Sequence, residues 1–182
     1  MHDLRHAIGR QGNRARVNHS LKSAFAPVVS PDTRVLVCGS LPGEASLRAG
    51  RYYANPRNQF WQLIGGAIGC DLVALDYEAR LVALLAAGVG LWDSVARATR
   101  QGSLDTAIRA VEAAPLAALA ATLPDLRAIA FNGGTSWRIG RRQFGPESAL
   151  ALVQLPSSSP AYCRVSVHEK QQAWNDLRKF LR

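Results

Sequence analysis

Cysteine is scarce in this 182-residue chain: Cys38, Cys70 and Cys163 form an odd set with no CxxC pair. That argues against a disulfide framework and against a zinc site, and no metal ligand set is assigned. Lysine occurs only at Lys22, Lys170 and Lys179. No apolar run approaches the roughly 20 residues that span a bilayer, and the N-terminus has no apolar leader core. The expectation is a cytoplasmic protein without a membrane partner. There is no GxSxG and no Ser-His-Asp order of the usual kind, which argues against a serine hydrolase. Internal repeats are absent, and the only biased segment is a short run of serines.

Positive charge is in excess. The formal net charge is +9, and nearly all of it comes from arginine. Guanidinium forks match phosphate geometry, so a polyanion such as nucleic acid is favoured as partner. The alternative is a basic protein whose charge serves solubility. The length suits one domain, and 48% hydrophobic residues are ordinary for a globular chain.

Residues 1–24 are rich in Arg, His and Asn without a sustained period. They read as a mobile basic extension to a domain over 25–182. Strands are expected at 34–38, 89–92, 126–131 and 150–155 from short apolar runs. Helices are expected from Pro56 or Asn58 to about 68, from Asp76 to about 87, from Pro115 to 122, and after Gly134 with Trp137 and Ile139 inward. A last helix starts at Ser166, where Ser166 and Glu169 fit a capping box and Trp174, Leu177 and Leu181 share a face. Residues 96–114 read as a loop with helical turns. Strands alternating with helices predict a single α/β domain around a four-stranded, mostly parallel sheet.

In such sheets ligands bind at the carboxyl ends of strands. Each unusual loop lies at one: Gly39-Ser40-Leu41-Pro42-Gly43, Asp93, Asn132-Gly133-Gly134 and Pro156-Ser157-Ser158-Ser159-Pro160. About twelve residues after the first loop come Tyr52-Tyr53 and Asn58. A glycine loop, an aromatic platform and an amide together suit a flat polar ring.

These blocks, with Pro56-Arg57-Asn58, Phe60-Trp61, Leu91-Trp92-Asp93 and Gly102-Ser103-Leu104-Asp105, run in order from about residue 25 to the C-terminus. The chain resembles the uracil-DNA glycosylase superfamily, and most of all its hypoxanthine-DNA glycosylase branch. The resemblance implies a monofunctional enzyme that extrudes a deaminated base from DNA and hydrolyses its N-glycosidic bond without a cofactor, acting as a monomer. Relatives with an iron–sulfur cluster use four cysteines, which this chain cannot supply. No lysine lies in the motif loops, which argues against Schiff-base lyase chemistry.

Residue by residue, the resemblance makes Asn58 the catalytic asparagine, though it also suits a helix cap. Many members carry Asp or Asn, to orient the attacking water, where this chain has Leu41. Gly39, Ser40 and Leu41 would line the base through a close backbone approach. Tyr53 would stack on the base, with Tyr52 as the alternative stacker. Asn132 would pair with the adjacent C=O and N–H that uracil and hypoxanthine share, or else be a turn residue. Ser157, Ser158 and Ser159 would grip phosphates, and Tyr162 would be a wedge in the vacated stack or an exposed loop residue. Many relatives place a histidine in the serine motif to polarise the base carbonyl. None occurs there, and His168 reads as helix surface. Arg48 and Arg51 would meet phosphate or solvent. Asp93 and Asp105 are assigned to structural hydrogen bonding. The competing reading, motivated by Leu41, is a non-catalytic module that binds damaged or single-stranded DNA.

Overall fold

The computed structural model describes residues 21–182. In chain order the elements are β1 (Leu21–Ser23), β2 (Val35–Gly39), α1 (Glu44–Ala49), α2 (Phe60–Ile68), α3 (Tyr77–Ala86), β3 (Val89–Asp93), β4 (Val95–Thr99), β5 (Arg109–Ala113), α4 (Leu116–Ala120), β6 (Ala128–Asn132), α5 (Gly134–Gly140), β7 (Ala151–Leu155), α6 (Val167–Asn175) and α7 (Arg178–Leu181).

The main sheet has the order β3-β2-β6-β7, and each neighbouring pair is parallel. Side chains alternate across it. Val35 and Val37 of β2 face Phe60, Ile64 and Trp174 on one side, while Leu36 and Cys38 face Leu116, Ile129 and Phe131 on the other. Both faces are therefore buried, which is why its strands read as short unbroken apolar runs. The expected α/β architecture is what forms, and each expected strand lies within two residues of its observed place.

Local signals set the helix ends. Asp76 Oδ1 accepts from Ala79 N at 2.9 Å to cap α3, and Ser166 and Glu169 close the full capping box on α6. Trp174 and Leu177 are fully buried, but the helix breaks between α6 and α7. Trp137 packs edge-on to Phe131 at 5.6 Å, and Ile139 packs against Leu41, Val95 and Ala98.

Residues 96–114 depart from expectation. In place of a loop with helical turns, β4 and β5 form an antiparallel pair, and β1 joins β4 on its other edge. The period-two signal is weak because all of β5 is exposed and the pairing is interrupted by register shifts. Residues 21–23, within the stretch read as an extension, are thus part of a sheet. Lys22 is buried there, paired with Glu44 and donating to Gly102 O at 2.9 Å. The rest of the extension, residues 1–20, lies outside the described residues. Among the described residues no helix is long and apolar enough to cross a membrane.

Candidate active site

The carboxyl ends of β2, β3 and β6 and the loop after β7 converge on a cavity of about 620 Å³. That volume falls in the range of about 300–1,000 Å³ typical of ligand clefts. Gly39, Ser40, Leu41, Tyr53, Asn58, Asn132, Ser157, Ser158, Ser159 and Tyr162 all line it. The structure thus brings every candidate residue to one place, although they span more than a hundred positions of sequence.

The loop after β2 is fixed by a buried guanidinium. Arg100, 1% exposed, donates to Leu41 O at 3.1 Å, to Pro42 O and to Gly102 O at 3.1 Å. Ser40 Oγ donates to Asp105 Oδ1 at 2.6 Å. Leu41 is buried against Val95, Ala98 and Ile108, so it anchors the small sheet beneath the cavity. This packing accounts for an apolar residue at that position.

Of the two tyrosines, Tyr52 is the core residue. It is buried, and its hydroxyl donates to Ala26 O at 3.0 Å. Tyr53 stacks on Phe60 with ring centroids 3.6 Å apart and planes 5° from parallel. Its φ of 50° is unusual for a non-glycine residue and turns the ring toward the cavity wall. Trp61 Nε1 donates to Tyr53 O at 3.2 Å, which helps hold that turn. Burial raises the Tyr53 hydroxyl pKa far above its ordinary value, so the group stays neutral.

Asn58 lies just before α2. Its Oδ1 accepts from Phe60 N at 3.0 Å, and the residue also lines the cavity. Capping and a role in the cavity are therefore compatible. A carboxamide oxygen has a second lone pair, and Nδ2 has no hydrogen-bond partner among the described residues.

Asn132 is more committed. Its Nδ2 donates to Ser158 Oγ at 2.8 Å and to Tyr53 Oη at 3.2 Å, while Oδ1 accepts from Ser158 N at 2.8 Å. A base pairing with this amide would have to displace one of those partners. Ser158 in turn accepts from Gln59 N at 3.0 Å through its carbonyl, and its side chain is buried. Ser157 and Ser159 remain half-buried at the cavity wall. Gly133, with φ of 97°, lets β6 pass under this loop, since a Cβ there would lie 3.1 Å from Ser157 Cβ. Tyr162 is half-buried. Buried Lys170 donates to Tyr162 O and to Gln59 Oε1, each at 2.8 Å, and fixes the far end of the loop.

Arg138 of α5 lines the cavity without having been singled out, and Asp93 and Asp105, assigned to structural hydrogen bonding, line it as well. Asp93 is 3% exposed, and its Oδ2 is buried with no hydrogen-bond partner among the described residues. Burial, and then the charge of Asp105, push its pKa up to about 7, against the pull of Arg100. Asp105 is also raised by burial, opposed by the Ser40 hydrogen bond and by Arg100 and Arg138. The signal for Asp93 was its place at the end of a strand, and for Asp105 its place in the block Gly102-Ser103-Leu104-Asp105. Cys38 is fully buried, with its thiol pKa pushed up by burial, so it packs as a small hydrophobe. His168, Arg48 and Arg51 are exposed. Among the described residues no group of three or more His, Cys, Asp or Glu is arranged to hold a metal ion.

A cavity of this kind at the strand ends of a parallel sheet defines an α/β ligand-binding or catalytic domain. The model for the Uracil DNA glycosylase superfamily matches residues 26–178. The chain is 36% identical over 160 residues to the hypoxanthine DNA glycosylase of Methanosarcina barkeri (strain Fusaro / DSM 804), covering 87% of this chain and 98% of that one. It is 37% identical over 154 residues to the hypoxanthine DNA glycosylase of Methanosarcina acetivorans, covering 84% and 95%. A solution NMR structure from M. acetivorans, of a protein assigned as a uracil DNA glycosylase, superposes with a TM-score of 0.79. It is 34% identical and covers 89% of this chain and 99% of that one. The chain belongs to the uracil DNA glycosylase superfamily. Membership places it among DNA glycosylases, hydrolases of N-glycosyl bonds.

Proposed function

We propose that this chain removes deaminated bases, hypoxanthine and uracil, from DNA as a monofunctional, monomeric, cytoplasmic glycosylase. The observation that carries this reading is the convergence of Asn58, Tyr53, Asn132 and the Gly39 loop on one cavity. The names of its relatives support the same substrate class.

The flipped nucleotide enters the cavity and stacks against the Tyr53 wall, which Phe60 supports from behind. Base–aromatic stacking is worth about 1–3 kcal/mol and tolerates both a purine and a pyrimidine. Asn58 holds the attacking water or steadies the base through the valences its capping bond leaves over. Gly39, Ser40 and Leu41 form the near wall, and Asn132 holds Tyr53 and Ser158 in register around the base. The serine loop, Ser157 to Ser159, meets the flanking phosphates, and Tyr162 fills the space the base vacates. The bond from C1′ to the base nitrogen breaks, its electron pair leaves with the base, and the water oxygen adds to C1′ as the water gives up one proton to solvent.

Single-turnover cleavage of end-labelled oligonucleotides bearing one deoxyinosine or deoxyuridine tests this. Wild-type protein is expected to produce alkali-labile sites, and Asn58→Ala to lose the rate by about 100-fold or more while still binding. Binding without cleavage by the wild type would instead favour a damage-binding module.

A further inference from the structure

We propose that Asp93, as the neutral acid, donates a hydrogen bond to the carbonyl oxygen of the extruded base and steadies the charge that base acquires as it leaves. The proposal rests on the glycosylase reading above. Three observations carry it. Asp93 lines the cavity at the end of β3 and is 3% exposed. Its Oδ2 is buried without a hydrogen-bond partner among the described residues. A buried unpaired oxygen costs free energy, and a ligand that completes its bonding is a physical reason for it to persist. Third, the serine loop carries no histidine, so the base carbonyl has no cationic donor from that side.

The surroundings select the neutral form. Facing Asp93 are Asp105 from the turn before β5, Arg100 after β4, Tyr52 and Tyr53 from the loop after α1, and Cys38 of β2. Arg100 is the only cation among them; its guanidinium donates to Leu41 O, Pro42 O and Gly102 O and lies 3.9 Å from Asp105, while Arg138, on the same cavity, acts on Asp105. Burial and the Asp105 charge raise the Asp93 carboxyl to about 7, so at neutral pH a large share carries its proton. Glycine at position 39 leaves room for the carboxyl, because a Cβ there would lie 2.6 Å from Asp93 Oδ1.

When the glycosidic bond breaks, its electron pair spreads over the base onto O6 of hypoxanthine or O4 and O2 of uracil. A fixed donor in a dry site is worth most where charge develops. Asp93 keeps its proton throughout. Water supplies the oxygen at C1′, and the departing base takes its proton from solvent.

The test is the pH profile of single-turnover cleavage of deoxyinosine and deoxyuridine duplexes, from about pH 5.5 to 9, for wild type, Asp93→Asn and Asp93→Leu. Loss of the acid proton predicts a wild-type rate that falls about tenfold per unit above pH 7. Asparagine supplies a donor that does not titrate, so Asp93→Asn is expected to lose that falling limb. Asp93→Leu is expected to lose about 100-fold at pH 6, the scale for removing one oriented donor. A falling limb common to wild type and Asp93→Asn would overturn the proposal. So would a wild-type rate that rises through pH 7, which would assign the carboxylate, or a leucine variant as fast as wild type. If the leucine variant fails to fold, the asparagine profile alone decides. A wild type that cleaves neither duplex fails the glycosylase reading itself, and does so before any variant is compared.

Discussion

Gly39, Asp93 and Tyr53 meet at the end of β2, and each limits the others. A Cβ on Gly39 would stand 2.6 Å from Asp93 Oδ1 and 3.1 Å from Tyr53 Oη. Gly39→Ala is therefore expected to push both side chains off the cavity wall. Cleavage should fall at least about tenfold with a melting temperature only modestly lowered, since the strand itself accepts alanine. Asp93 also makes stability depend on pH. Its folded pKa of about 7 lies above the ordinary 3.8, so the folded state holds the proton more tightly. The associated stability is complete below about pH 4 and is lost as pH rises toward and through 7. At about 1.4 kcal/mol per unit, the loss reaches a few kcal/mol. Thermal melts of wild type and Asp93→Asn should therefore diverge between about pH 4 and 7, with the wild type falling relative to the variant and the gap constant above that range.

Among the elements, the small antiparallel sheet does what the main sheet cannot. It carries Arg100 under the Gly39 loop and gives Leu41 an apolar seat. Arg100→Met would leave the Leu41 and Pro42 carbonyls without their donor, while Gly102 O keeps Lys22, and would take from Asp105 the guanidinium 3.9 Å away. Unpaired buried acceptors cost about 1–3 kcal/mol each. Denaturant melts should show a loss of several kcal/mol, and cleavage should fall with it as the loop loosens. The capping box on α6 is a smaller term. Ser166→Ala removes the acceptor for Glu169 N and should cost about 1 kcal/mol, with cleavage unaffected. The capping motifs and the four parallel strands were legible because their signals are local. The sheet of β1, β4 and β5 was not, because its outer strand buries no face and shows no period to read.

For the molecule as a whole, a net charge of +9 spread through arginine implies salt-sensitive binding to DNA. With roughly four phosphate contacts, affinity for a duplex should drop about a hundredfold between about 50 and 200 mM salt. Fluorescence anisotropy measures this, and a flat response would remove phosphate contact from the account. The sequence alone determined the α/β class, the parallel strands, the caps and the loops that meet at the site, because apolar runs, turn residues and motif order are properties of neighbours in the chain. It also named Asn58, Tyr53 and Asn132 as residues of one site. The tertiary structure decided what each of them has left to offer. Asn132 is committed to Tyr53 and Ser158, Leu41 is a core residue, and Asp93 holds at the cavity a buried oxygen with no hydrogen-bond partner among the described residues. Hydrogen-bond commitment, burial and the field of a neighbouring acid depend on groups distant in sequence, so only the folded chain sets them.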